Sequence, residues 1–151
     1  MADLRALCER AGLSDVRTYI QSGNVVARSK LSTDVFKKKL ESALGTQLGK
    51  PHRVLVRALA ELQAVEKRNP YPDAAPNQLL VLFLDDAPAK GALKDWKIPG
   101  REQMTIKGRE LYVHFPDGMG SSKLKVPFAD IGTGRNLNTV RAMIALAILP
   151  V

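Results

Sequence analysis

The order of elements at the front of the chain constrains its fold more than any other feature. Residues 1–57 read as helix, strand, strand, helix, strand. Leu4, Leu7, Cys8 and Ala11 recur at helical spacing, and Gly12 stands where a helix C-cap belongs. Residues 16–20 alternate as a half-buried strand. Ser22, Gly23 and Asn24 then supply turn chemistry, because Gly and Asn tolerate positive φ, and residues 24–28 return as a second strand. Ser32 or Thr33 caps a helix whose apolar stripe is Phe36, Leu40, Ala43, Leu44 and Leu48. Residues 53–57, with Val54-Leu55-Val56 at their centre, read as a short strand. The series is a βαββαβ unit without its first strand, which a split βαβ fold places near the centre of its sheet.

The second half repeats this rhythm without repeating the sequence. A helix over residues 59–67 stops before Asn69-Pro70-Tyr71-Pro72, where two prolines forbid continuation. Residues 1–68 therefore form a first lobe, 69–77 a junction and 78–151 a second lobe. Residues 79–84 are apolar without alternation, so both faces of that strand are expected to be covered. Asp85-Asp86-Ala87-Pro88 reads as the opening of a helix over 89–96. Strands over 103–106 and 110–115 join through Lys107-Gly108-Arg109. A short helix is expected over 123–131, shortened by Pro127, and a last one from Asn138 or Thr139 to residue 149. The expected class is α+β: two ferredoxin-like lobes with antiparallel sheets covered by helices, the first lobe lacking its first strand.

Charge narrows the partners. With 23 Lys+Arg against 15 Asp+Glu, the net charge is +8. That favours anionic ligands: nucleic acid, nucleotide or phosphorylated metabolite. The run Lys37-Lys38-Lys39 reads as a solvated helix face. Cys8 is the single cysteine, so no intramolecular disulfide forms, and its place on an apolar helix face marks it as a small buried hydrophobe. No charged-then-apolar leader opens the chain and no apolar run reaches spanning length, so a cytoplasmic protein without membrane contact is expected.

Three polar clusters are candidates for chemistry. Gln21, Ser22, Gly23 and Asn24 form the first hairpin tip; turn-making alone accounts for much of that composition. Residues 116–123 form a loop in which Gly118 and Gly120 free backbone N–H groups for an anion, and Ser121, Ser122 and Lys123 complete the set. The Gly-Lys-Ser/Thr order of a nucleotide P-loop is absent. Residues 133–139 place Arg135 and Asn136 in a loop before a helix capped by Asn138 or Thr139. Signatures of catalysis are poor. His52 and His114 have neither a metal-spaced partner nor a nearby nucleophile, so no metal and no cofactor are expected. A base-stacking sheet would draw on Arg17, Tyr19, Tyr112 and His114, which lie opposite the apolar stripes, although the ribonucleoprotein consensus is missing.

An ordered set of motifs carries a family resemblance. The set is Thr18-Tyr19-Ile20-Gln21-Ser22-Gly23-Asn24, Asn69-Pro70-Tyr71-Pro72, Gly108 through Gly118, Ser122-Lys123-Leu124, and Arg135-Asn136-Leu137-Asn138-Thr139. It closely resembles the bacterial DUF1697 family across essentially the whole chain. The resemblance implies a pair of ferredoxin-like α+β lobes and brings no biochemical activity with it. Members usually begin with a strand and a Leu-Arg-Gly-Ile-Asn-Val-Gly-Gly type motif, whereas this sequence starts at the following helix, which implies a shortened N-terminus. Leu137 stands where a Trp is common, and Ser121 where an Arg is common. The expected site is a composite one. It joins Gln21, Ser22 and Asn24 to Arg135, Asn136 and Asn138, with Gly118, Gly120, Ser122 and Lys123 as further ligand-binding residues. The reading is an anion-binding module; an enzyme using the same cluster and a protein-interaction domain are the alternatives.

Overall fold

The computed structural model describes residues 2–19, 24–50 and 54–148. The chain divides into two compact units, Met1–Leu62 with Ala142–Val151, and Gln63–Arg141. The class is α+β, with one two-stranded and one four-stranded antiparallel sheet.

The first unit is built from α1 (Ala2–Arg10), the hairpin β1 (Ser14–Tyr19) and β2 (Asn24–Arg28), and α2 (Thr33–Leu48). A lone hairpin is marginal in water, so its stability comes from the helices. Cys8, Leu13, Val16 and Leu40 form the buried cluster, joined by Val25, Phe36, Leu44 and Val54. Cys8 is fully buried, and burial, with Glu9 adding to it, pushes its thiol pKa up. It packs as expected of an inert hydrophobe. The hydroxyl of Ser32 accepts from the Val35 N–H at 3.3 Å and starts α2. Gly49, at φ 72°, ends it by donating to the Gly45 carbonyl. In the lysine run, Lys37 is held by Glu41 at 2.9 Å, whereas Lys38 and Lys39 are exposed.

The strand expected at 53–57 does not form among the described residues. The Val54 N–H, which a ladder would need, donates instead to the Glu41 carboxylate at 2.8 Å. Residue 53 lies outside the described residues, as does the hairpin tip 20–23.

The second unit holds the four-stranded sheet, in the order β4 (Gln103–Lys107), β5 (Glu110–His114), β3 (Leu79–Phe83), β6 (Thr133–Asn136). All neighbours are antiparallel, so β3 and β4 run the same way with β5 inserted between them. That is the strand order of a split βαβ sheet. The helices expected in its two long connections are absent. Residues 89–96 form successive i→i−3 turns, and Gly91 at φ 79° breaks any right-handed continuation. Residues 122–126 are irregular, and Phe128 at φ 63° with buried Pro127 leaves a turn where a helix was expected. Phe128, Leu124 and Val126 pack on the core cluster of Leu82, Leu84, Leu111, Val113 and Phe115. Non-local packing thus overrides local helix propensity here.

β3 is buried on both faces, as its unbroken apolar run predicts. Gly108, at φ 60°, makes the two-residue turn between Lys107 and Glu110, where a primed hairpin needs positive φ. Helix α3 (Leu59–Lys67) keeps the boundaries read from the sequence, and α4 runs over Leu137–Ile148.

Candidate functional site

The loop after β5 satisfies most of its own polar groups. Gly118 sits at φ 90° and donates to the Phe115 carbonyl at 3.0 Å. The Ser121 hydroxyl donates to the Asp117 carbonyl at 2.8 Å. The Ser122 hydroxyl donates to Glu102 Oε2 at 3.1 Å and accepts from the Leu124 N–H. The Arg101 guanidinium grips the Asp117 carboxylate with two nitrogens, lowering the Asp117 pKa and raising its own. Glu102 Oε1 is buried and has no hydrogen-bond partner among the described residues. The serines assigned to an anion are therefore engaged by the protein itself, Ser121 within the loop and Ser122 by the Glu102 carboxylate. Gly120 keeps open space around its Cα, and Lys123 is exposed.

The segment from Arg135 to Asn138 is strand and helix rather than loop. Arg135 lies on β6 opposite Val81, which in turn opposes Tyr112. Its Nη1 donates to the Gly134 carbonyl at 2.8 Å, and burial lowers its pKa. Asn136 caps α4: its Oδ1 accepts from the Thr139 N–H at 3.0 Å. The cap assigned to Asn138 or Thr139 therefore belongs to Asn136, because the helix already begins at Leu137. Asn138 is exposed in the first turn, and Thr139 is buried.

The remaining members are in the first unit. Gln21 and Ser22 lie outside the described residues. Asn24 is buried at 7% exposure and opposes Tyr19 in the hairpin. Asn24 belongs to one compact unit, and Arg135, Asn136 and Asn138 belong to the other.

The sheet positions proposed for base stacking are mostly structural. Tyr112 is fully buried, and its hydroxyl donates to the Val65 carbonyl of α3 at 2.5 Å. His114 meets the Tyr71 ring at 5.6 Å and faces Gln103. Arg17 holds Asp15 with two nitrogens and donates from Nη1 to the Leu146 carbonyl at 2.7 Å. The Tyr19 side chain lies outside the described residues.

Sequence reasoning missed Trp96. It is 39% exposed, and its Nε1 donates to the Lys125 carbonyl at 2.7 Å. Residues 123–126 alternate, with Lys123 and Lys125 exposed and Leu124 and Val126 on the core. The available signal was the flanking pair Lys94 and Lys97; the pairing with Lys125 is non-local and invisible in the sequence.

Among the described residues no group of three His, Cys, Asp or Glu side chains is placed to hold a metal. No described helix is long and apolar enough to cross a membrane.

A family model described as protein of unknown function, DUF1697, matches residues 1–112. The chain belongs to the DUF1697 family. No curated protein matches it. A conserved bacterial protein of Streptococcus pneumoniae, SP0830, is similar in structure: the TM-score is 0.78 at 22% identity, over 97% of this chain and 88% of that one. At that identity the likeness shows the fold alone. It supports the α+β class of this DUF1697 member and assigns it no ligand.

Proposed function

We propose that the protein is an anion-binding module whose ligand is a nucleotide, nucleic acid or other phosphorylated molecule. One observation carries this reading. Lys123 and Lys125 project outward beside the Gly118–Gly120 loop and make no ion pair among the described residues, while the nearby Asp117 is neutralised by Arg101. The net charge of +8 supports long-range attraction of the same ligand class. Arg135, Asn136 and Asn138 are proposed as a second contact region on this unit. Gly118, Gly120 and Ser122 shape the loop that presents Lys123. Gln21, Ser22 and Asn24 remain proposed contributors from the first unit.

The test is calorimetric titration with nucleoside triphosphates and a short polyphosphate at several salt concentrations. Binding that weakens steeply with salt is expected, because each neutralised phosphate releases counterions. Lys123→Ala and Arg135→Ala should weaken it; Lys123→Ala should leave the thermal midpoint unchanged, and Arg135→Ala should remain folded. Affinity insensitive to salt and to both substitutions overturns the reading.

A further inference from the structure

We infer that the exposed indole of Trp96 is a base-stacking platform for single-stranded nucleic acid. The inference deepens the anion-binding reading and rests on it, by naming the ligand class. Of the aromatic side chains described, Trp96 is the one in the exposed class: Tyr112, Phe83 and Phe115 are buried, and Phe36, Tyr71 and Phe128 are partly buried. The face of the four-stranded sheet that carries Tyr112 offers that ring no contact with a base. Trp96 differs in being both open and fixed. The hydrogen bond from Nε1 to the Lys125 carbonyl ties one edge of the ring to the 123–126 strip. An aromatic held in this way loses little freedom when a base stacks on it.

The surroundings suit a polyanion. Residues 89–97 and 123–126 carry five lysines, at 90, 94, 97, 123 and 125, and one carboxylate, Asp95. All five lysines are exposed and make no ion pair among the described residues. The hydrogen bond from the indole joins the two lysine-bearing segments, so both bring lysines to the region of the ring. A protein partner with an apolar surface would not call for this density of cations. Single-stranded nucleic acid needs both parts, a stacking ring and a charged track for the phosphates. Duplex nucleic acid hides its base faces and would use the charge alone.

Trp96 is the single tryptophan, so the ring reports on itself. The experiment titrates the full chain with a short fluorescein-free oligothymidylate, exciting beyond tyrosine absorption. In parallel it uses an abasic deoxyribose-phosphate chain of the same length. Labelled forms of both probes are followed by anisotropy against Trp96→Ala, Trp96→Phe and the double variant Lys123→Glu/Lys125→Glu. We expect saturable quenching by the oligothymidylate and none by the abasic chain. Trp96→Ala should weaken oligothymidylate binding about tenfold to a hundredfold. It should leave abasic binding unchanged, and Trp96→Phe should restore part of the loss. The charge-reversed variant should weaken both probes. Urea midpoints confirm that each variant is folded. Equal binding of the two probes without quenching overturns the stacking platform and leaves the anion-binding reading standing. Binding of neither probe overturns both.

Discussion

The hydroxyl of Tyr112 donates to the backbone carbonyl of Val65 at 2.5 Å, inside a fully buried contact between β5 and α3. A tyrosine facing outward from a sheet could serve a base; this one secures a helix. Burial, with Glu110 adding to it and Arg68 opposing, pushes its pKa from 10 up to about 12. The fold favours the neutral phenol. Its contribution is therefore fully present below the unfolded value near 10 and is lost as pH rises through about 12. A rise of that size corresponds to about 2–3 kcal/mol. Urea unfolding should show stability falling across that window. Tyr112→Phe should lose about 1 kcal/mol near neutral pH and show a shallower alkaline decline. An unaltered decline would assign it to other groups.

Asn136 and Asn138 should separate cleanly. Asn136→Ala removes the acceptor of the Thr139 N–H and should cost about 1 kcal/mol. Asn138→Ala removes an exposed side chain and should change stability by less than about 0.5 kcal/mol. Chemical denaturation of both variants checks the assignment of the cap; equal losses would contradict it.

Arg17 is predicted to matter for stability and not for binding. Its guanidinium serves Asp15 and the Leu146 carbonyl together, which is a fork geometry. Arg17→Ala should lose about 2 kcal/mol, and Arg17→Lys should recover little of it, because one ammonium cannot reproduce the fork. Thermal melts and oligonucleotide binding of both variants give the two readouts.

Two glycines should respond differently to alanine. A Cβ on Gly132 would meet Leu84 Cδ2 and the Phe83 carbonyl oxygen, each at 2.8 Å, at the start of the β3–β6 pairing. Gly132→Ala should cost about 1–3 kcal/mol. A Cβ on Gly120 meets nothing within 4 Å, so Gly120→Ala should be close to neutral in stability. Any loss of anion binding in that variant would then report on the loop backbone. Unfolding midpoints of the pair test the contrast.

Features that depend on neighbours in the chain were legible in the sequence alone. The apolar spacing of α1 and α2, a cap at Ser32 or Thr33, the stop of α3 before two prolines and the Gly108 turn are all read within a few residues. The unbroken run of β3 announced its double burial for the same reason. Features that depend on distant partners were set by packing. Strand β6, Thr-Gly-Arg-Asn, has little β-propensity of its own and exists because β3 offers it a ladder. Residues 89–96 and 123–131 looked helical by spacing, but their apolar side chains are satisfied against the sheet through turns at Gly91 and Phe128. The burial of Tyr112 and the exposure of Trp96 have one physical cause. Exposure is set by what packs over a side chain, and residue type states only a preference. Val65 reaches Tyr112 from α3, and the Lys125 carbonyl holds Trp96 at the surface.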